Sequence, residues 1–150
     1  MLGVNLRDWI LVDDAALLQA QQPSRECPHV RRLLQVVRQR LHQLRGVEAR
    51  FAVDKIYTRI NTLLIAVNPY KMLECCSAET LASMMEEEDV EKLPPHVFKI
   101  AKAAYASMCR TGGAQSVLIS GESGAGKTEA SKHIIEYLTT ASRIAKANRR

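Results

Sequence analysis

The residues with the clearest chemical potential form a glycine-rich segment, GESGAGKT, at positions 121–128. Gly121 and Gly126, followed by Lys127 and Thr128, match the pattern G-x-x-x-x-G-K-[ST], which is typical of phosphate-binding loops. Glycines let the backbone wrap tightly and present successive N–H donors to phosphate oxygens. The pattern therefore predicts a loop that holds a polyphosphate.

The last two residues of the loop have separate predicted roles. Lys127 supplies a compact cation for the terminal phosphates, and the Thr128 hydroxyl is a hard oxygen ligand suited to Mg²⁺. A helix beginning near Lys127 would add unpaired N–H groups and a positive dipole end. The predicted phosphate site comprises Gly121, Glu122, Ser123, Gly124, Ala125, Gly126, Lys127 and Thr128.

The flanking sequence predicts the strand and the helix that such a loop requires. QSVLIS (115–120) has the composition of a short buried strand. After the loop, apolar residues recur at helical spacing. They form one predicted face: Ala130, Ile134, Leu138, Ala141 and Ala145.

Two further helices are predicted before that strand. The first is acidic and covers 77–92, with Ser77 as its N-cap and a run of four acids (86–89) on a solvated face. The second follows Pro94–Pro95 and ends at Gly112–Gly113. Its predicted buried stripe is Val97, Ala101, Ala104, Tyr105 and Met108.

The first half of the chain predicts one helix and a β-hairpin. Apolar residues at helical spacing favour a helix at about 29–45, ended by Gly46. Strands are predicted at 56–59 and 62–67, with a two-residue turn at Ile60 and Asn61. Asn61 tolerates the left-handed backbone of such a turn, and Asn68–Pro69 ends the second strand.

WILVDD, at 9–14, has two interpretations. It resembles a strand ending in an aspartate that binds Mg²⁺, but that strand usually follows a phosphate loop, so we expect a surface leading segment instead.

The four cysteines lack CxxC spacing. Adjacent Cys75 and Cys76 are poorly placed to ligate one tetrahedral ion, which favours reduced thiols in a cytosolic protein.

Composition limits the classes of protein and partner. The chain has 150 residues, 47% of them hydrophobic, which is ordinary for one globular domain, and its apolar runs are too short to span a membrane. We expect a cytoplasmic protein.

Residues 25–50 contain seven arginines and two glutamates, and this difference equals the net charge of +5 of the whole chain. A solvated helix face is the favoured interpretation; membrane contact is the alternative, and the absence of interleaved aromatic residues argues against nucleic acid.

Longer stretches identify the chain as similar to a known family. GESGAGKTE (121–129) resembles the phosphate loop of the myosin motor domain, and QSVLISGESGAGKTEASKHIIEYL (115–138) resembles its strand, loop and helix. IYTRINTLLIAVNPYK (56–71) resembles the hairpin and the Asn-Pro-x-Lys segment that lies against adenine. LPPHVFKIAKAAYASM (93–108) resembles the preceding helix. The likeness extends over about 41–140.

The resemblance implies an actin-activated, Mg²⁺-dependent ATPase located in the cytoplasm and cytoskeleton. It implies that residues 121–128 hold the phosphates of ATP, with Thr128 on Mg²⁺ and Ser123 close to the γ-phosphate. Asn68, Pro69 and Lys71 would border the adenine.

The chain departs from the family at several positions. Arg59 replaces an aromatic residue and Asn61 replaces a glycine. Cys76 stands where a tyrosine usually closes the adenine pocket, so we expect weaker nucleotide binding. The stretch 41–51 holds about three more residues than the usual run.

The sequence after Thr128 contains no candidate for switch I or switch II, the segments with which myosins hydrolyse ATP. No residue is therefore assigned a catalytic role, and we expect these 150 residues alone neither to hydrolyse ATP nor to bind actin productively. A stand-alone P-loop kinase or transferase, and a non-catalytic nucleotide-binding scaffold, are the alternatives.

The predicted fold class is α/β, a partial P-loop NTPase with a β-hairpin, a P-loop strand and the flanking helices of a mixed sheet. Residues 1–28 are predicted to form a leading segment and loop. Residues 29–150 are predicted to be the N-terminal part of a motor domain that lacks the actin-binding region.

Overall fold

The structure is a computed structural model, and it describes residues 9–13, 45–60 and 63–148. The strands are β1 (Trp9–Asp13), β2 (Tyr57–Ile60), β3 (Leu63–Val67) and β4 (Leu118–Gly121). The helices are α1 (Arg45–Phe51), α2 (Ala78–Glu86), α3 (Val97–Thr111) and α4 (Lys127–Ala147). Short 3₁₀ turns cover Glu74–Cys76 and Val90–Lys92. The α/β class is therefore confirmed.

The four strands form one sheet in the order β2-β3-β1-β4. Each neighbouring pair is antiparallel, so the predicted mixed sheet is not what the described strands form. β3 lies inside this sheet, and its residues from Leu64 to Val67 are all buried. A strand covered on both faces needs such a continuous apolar run rather than alternation.

β1 corrects the interpretation of WILVDD as a surface leading segment. The backbone of Trp9–Asp13 pairs with β3 on one side and with β4 on the other. The Mg²⁺-binding interpretation is also wrong, because the antiparallel register sets Asp13 opposite Leu118, while Ile10 is opposite Gly121. Three residues of strand span about 10 Å, so Asp13 lies at the end of β4 remote from the loop.

The predicted hairpin is confirmed with a shift of one residue. Ile60 pairs with Leu63, so the connection consists of positions 61 and 62 rather than 60 and 61. The predicted turn residue Asn61 lies outside the described residues. So does the helix predicted at 29–45, apart from Arg45; Gly46, predicted to end it, instead lies inside α1.

The acidic segment predicted as one helix is divided in two. Ser77 caps α2 as predicted, its hydroxyl accepting from the Thr80 N–H, but α2 ends at Glu86 and a 3₁₀ turn begins at Val90. Acidic side chains are unfavourable at the negative end of a helix dipole. Lys102 of α3 supplies the cation there: its ammonium donates to the carbonyl oxygens of Met84 and Met85 at 2.9 and 3.1 Å.

The core lies between the sheet and the helices α3 and α4. The N-terminal turns of α3 are buried on every side, from Val97 to Ala101. Within this stretch the Lys99 ammonium donates to the carbonyl oxygens of Glu91 and Leu93. The predicted stripe is thus right at Val97 and Ala101 and wrong at Met108, which is 41% exposed. Gly112 ends α3 in the left-handed conformation, as predicted.

On α4 the buried face contains Ala130 and Ile134, as predicted, together with Tyr137. Leu138 and Ala141 pack partly buried against the same core. None of the helices in the described residues combines the length and the apolar character that crossing a bilayer requires.

Candidate functional site

The glycine-rich loop joins the end of β4 to the start of α4, so the predicted order of strand, loop and helix is confirmed. The strand itself is Leu118–Gly121 rather than 115–120, and none of its residues is buried, contrary to the prediction. Gly124 and Gly126 have φ angles of 83° and 98°, a region that side chains with a Cβ rarely enter. Gly126 is also the N-cap of α4, and it brings no side chain to the N–H groups of the first turn. The amides at this helix start are therefore available to an anion rather than to a capping side chain.

Lys127, near the end of the glycine-rich loop, is hydrogen-bonded to the residues at the start of the loop. Its ammonium donates to the carbonyl oxygens of Gly121 and Glu122, at 2.9 and 2.6 Å. An ammonium group has three donors, so these two contacts leave one for a ligand. Thr128, in the first turn of α4, is exposed. The cation and the hydroxyl expected to serve phosphate and Mg²⁺ therefore stand together at one helix start.

Asn68 connects the loop to the segment that follows β3. Its side-chain amide donates to the carbonyl oxygen of Gly124 at 2.9 Å. Its side-chain oxygen accepts from the Tyr70 N–H, also at 2.9 Å, and Tyr70 has a positive φ of 51°. One asparagine thus fixes a turn and holds the tip of a loop 56 residues further along the chain.

A cavity of about 540 Å³ lies between these two segments. This volume is within the range of small-molecule sites. Its wall includes the three residues predicted to border adenine, Asn68, Pro69 and Lys71, and on the opposite side Ala125 and Gly126. The other predicted phosphate-site residues are not part of this wall. Their ligand roles stay predictions.

The Lys71 ammonium pairs with Asp54 at 2.6 Å on the surface. Both side chains are about half exposed, so the charge at this rim of the cavity is solvated. The pair orients Lys71 but contributes little to stability in such a position.

A cluster of polar side chains around Cys76 forms another part of the cavity wall. The Cys76 sulfur lies 3.4 Å from the Tyr57 hydroxyl, 3.9 Å from the Cys75 sulfur and 3.8 Å from His96 Nε2. His133 of α4 lines the same cavity. Sequence reasoning missed this cluster, because its members come from four separate segments and only the two cysteines are adjacent.

The tautomer of His96 follows from its hydrogen bonds. Nδ1 accepts from the Phe98 N–H at 3.0 Å and so caps α3. The proton is therefore on Nε2, which donates to the Cys75 carbonyl oxygen at 2.8 Å and faces the Cys76 sulfur. The Nε2 lone pair that a metal ion needs is absent. Cys75, Cys76 and His96 are close enough to share an ion, but an imidazole that is protonated at Nε2 cannot ligate one through that nitrogen.

The electrostatics of the cluster agree with this assignment. A hydrogen bond from Cys75 holds the pKa of Cys76 well below its ordinary value against the opposing effect of burial, and His133, His96 and Tyr57 add to the lowering. The same hydrogen bond raises the pKa of Cys75. Burial raises the pKa of Tyr57, and the hydrogen bond with Cys76 raises that of His133. Cys75 and Cys76 therefore titrate as a pair, with the lower pKa on Cys76.

Comparison with known proteins gives the family. The model of the family described as myosin head (motor domain) matches residues 32–150. Among curated proteins, the chain is 45% identical over 95 residues to unconventional myosin-Ig of Mus musculus, covering 63% of this chain and 9% of that protein. It is 46% identical over 100 residues to the myosin IC heavy chain of Dictyostelium discoideum, covering 66% and 8%.

A plant relative gives the same result, since the chain is 40% identical over 107 residues to Myosin-13 of Arabidopsis thaliana, covering 71% of this chain and 7% of that protein. The chain spans less than a tenth of the length of each of these relatives. The family match extends over most of the chain and includes the loop, the cavity wall and the Cys76 cluster. The chain therefore belongs to the myosin head (motor domain) family.

Proposed function

We propose that this chain is the ATP-binding part of a myosin, a P-loop NTPase that moves on actin filaments in the cytoplasm. The observation that carries the proposal is the position of Asn68, which joins the glycine-rich loop to the segment expected to border adenine. One cavity is lined by both segments. A single nucleotide with its base beside Asn68, Pro69 and Lys71 would extend its phosphates toward 121–128.

The phosphates would be held by this chain's own backbone and charge. Gly124 and Gly126 give the loop its turn, and the N-cap of α4 brings no side chain to the first-turn amides. Lys127 holds the loop closed through two carbonyl oxygens and has a remaining donor for a phosphate oxygen. Each charge-assisted hydrogen bond of this kind contributes about 1.5–3 kcal/mol.

The residues present fit a magnesium ion. Thr128 offers an exposed hydroxyl one residue after Lys127 in the first turn of α4, and Mg²⁺ is commonly held by one protein oxygen, phosphate oxygens and waters. Bound there, the ion would neutralise phosphate charge. The chain's own contribution is to position that hydroxyl beside the cation of Lys127.

We propose that turnover and productive actin binding belong to the complete motor. No stretch among these 150 residues resembles switch I or switch II, and preorganised charge around the transferring phosphoryl group supplies most of the catalysis in such enzymes. The chain by itself should bind Mg·ATP and release no phosphate above background, with or without actin filaments.

Calorimetric titration of the 150-residue chain with Mg·ATP tests the proposal. Lys127→Ala should weaken binding about tenfold or more, because it removes a charge-assisted contact to phosphate. Lys132→Ala is the matched control: it removes the same charge from the same helix, at an exposed residue paired with Glu129, and should leave the affinity unchanged. Equal affinities of wild type and Lys127→Ala for Mg·ATP would overturn the proposal.

A further inference from the structure

The strongest chemical feature outside the phosphate loop is the thiol of Cys76. It is half-buried and lies in the wall of the cavity rather than beneath it. The cavity wall also includes the exposed residues Lys71 and Met72, so the cavity opens to solvent there. A small molecule that enters the cavity therefore reaches the Cys76 sulfur.

Polar hydrogens surround this sulfur. The Tyr57 hydroxyl of β2 lies at 3.4 Å and the Cys75 thiol at 3.9 Å, and the protonated Nε2 of His96, which donates to the Cys75 carbonyl oxygen, faces it at 3.8 Å. His133 of α4 lines the same cavity. Because Nδ1 of His96 accepts from the Phe98 N–H, its Nε2 can only donate. Such a set of donors stabilises a thiolate, which is the nucleophilic form of cysteine.

The partly buried imidazole of His133 adds to this arrangement. Its Nδ1 atom is buried without a hydrogen-bond partner among the described residues and lies 3.5 Å from a carboxylate oxygen of Glu136, within the distance of an ion pair. Hydrogen bonding with Cys76 and the nearby carboxylate of Glu136 both raise the pKa of His133. A cationic imidazole beside a cysteine favours the thiolate.

We propose that Cys76 is a modification site for low-molecular-weight disulfides, and that the group it acquires blocks the nucleotide cavity. The thiolate attacks one sulfur of the disulfide RSSR. A new S–S bond forms between Cys76 and RS, the original S–S bond breaks, and RS⁻ leaves with the electron pair and takes a proton from water. An excess of a reduced thiol reverses the exchange by the same steps.

Cys75 is a poor partner for Cys76, which directs the exchange to an external disulfide. Adjacent Cα atoms are about 3.8 Å apart across a trans peptide, shorter than the usual range for a disulfide, about 4.4–6.8 Å. The two sulfurs lie 3.9 Å apart, compared with an S–S bond of about 2.05 Å. Cys75 therefore serves as a hydrogen-bond donor to the thiolate rather than as its disulfide partner.

The expected consequence for nucleotide binding rests on the proposed function. Cys76 shares the cavity wall with Asn68, Pro69 and Lys71, and it occupies the position where the family resemblance places a tyrosine that closes the adenine pocket. A peptide-sized group attached there would fill the space proposed for the base. Mg·ATP binding by this chain then becomes sensitive to the thiol–disulfide balance.

The test is a labelling time course on the 150-residue chain with oxidised glutathione, read by mass spectrometry of tryptic peptides. At about pH 6.5 an ordinary thiol is only about 1% thiolate. Cys76 should gain the adduct about fivefold faster than Cys109, which is exposed on α3, since its larger thiolate fraction outweighs its lower intrinsic nucleophilicity. In urea-unfolded chain the two rates should become similar, and this control needs no variant.

Calorimetry then measures the effect on nucleotide. The glutathionylated chain should bind Mg·ATP at least tenfold more weakly than the reduced chain, and dithiothreitol should restore the affinity. Cys76→Ser, treated in the same way, should show no change in affinity.

The outcomes separate the two proposals. Equal labelling of Cys76 and Cys109 in the folded chain would overturn the modification site. Preferential labelling with unchanged Mg·ATP affinity would overturn the block. A reduced chain that does not bind Mg·ATP would overturn the proposed function and the block with it, while the labelling result would still decide the modification site.

Discussion

The side-chain amide of Asn68 donates a hydrogen bond to the carbonyl oxygen of Gly124, 2.9 Å away, while its side-chain oxygen accepts from the Tyr70 N–H. The first bond holds the tip of the glycine-rich loop, and the second holds the turn after β3. Because a carboxylate accepts but does not donate, the two bonds can be separated by one substitution.

Asn68→Asp should retain the bond to Tyr70 and lose the bond to Gly124. The loop would be less well held and a negative charge would face the proposed phosphates, so Mg·ATP affinity should fall about tenfold or more. The hydrogen bond is exposed, and its loss should reduce the free energy of unfolding by no more than about 0.5–1.5 kcal/mol. Calorimetric titration and urea unfolding measure the two effects.

The matched control for that substitution is Asn148→Asp. It changes the charge of the chain equally, at the C-cap of α4 and thus at the opposite end of the helix from the loop. Equal weakening of Mg·ATP binding by both variants would mean that net charge, rather than the bond to Gly124, determines the affinity.

Gly126→Ala should destabilise the chain through backbone strain alone. The φ of 98° is one that an alanine rarely adopts, and a Cβ at this position would meet nothing closer than Asn68 Nδ2 at 3.9 Å. A left-handed backbone costs a residue with a Cβ about 1–2 kcal/mol. Urea unfolding should show that loss, whereas Gly113→Ala, at a glycine without a positive φ, should change stability much less. Equal stabilities of wild type and Gly126→Ala would show that an alanine at this position is not strained.

Local sequence signals predicted those parts of the fold that depend on neighbouring residues. Ser77 begins α2, Gly112 ends α3 and the loop motif lies between β4 and α4, since caps, turns and glycine-rich loops are decided within a few residues. The Asn-Pro stop after β3 and the two-residue hairpin connection were predictable for the same reason.

Features that depend on distant pairing were not predictable from one sequence. The strand character of WILVD is visible locally, but its place between β3 and β4 depends on partners about 50 and 110 residues later. The bond from Asn68 to Gly124 and the histidines around Cys76 have the same origin. Met108 was expected in a buried stripe because hydrophobic periodicity indicates which face of a helix packs against the core. It does not indicate how far along the helix that packing extends.

The Cys76–His133 pair predicts a pH dependence of stability. The hydrogen bond from Cys75 is the main cause that lowers the pKa of Cys76 from 9.0, and the hydrogen bond with Cys76 raises the pKa of His133 from 6.5. The contribution of Cys76 is complete above pH 9.0 and is lost as pH falls through its lowered folded pKa. That of His133 is complete below pH 6.5 and is lost as pH rises through its raised folded pKa.

Below pH 6.5 the unfolded chain binds protons on both groups, and the folded chain binds one, on His133. The stabilisation from the pair should therefore decrease as pH falls below 6.5. The measurement is the difference in free energy of unfolding between wild type and Cys76→Ser across this range. Cys109→Ser, at an exposed thiol, is the control. A difference for Cys76→Ser that stays constant with pH would show that Cys76 is not a thiolate in the folded chain.

The open edge of the sheet predicts self-association of the 150-residue chain. β4 has β1 as its only strand neighbour among the described residues, and Leu118 on it is 42% exposed. Unpaired strand edges template pairing with other chains, and a lysine on an edge strand suppresses it. Leu118→Lys should therefore shift the chain toward monomer in size-exclusion chromatography with light scattering. Ile135→Lys adds the same charge at an exposed apolar residue of α4; if it restores the monomer as well as Leu118→Lys does, the helix surface rather than the strand edge drives association.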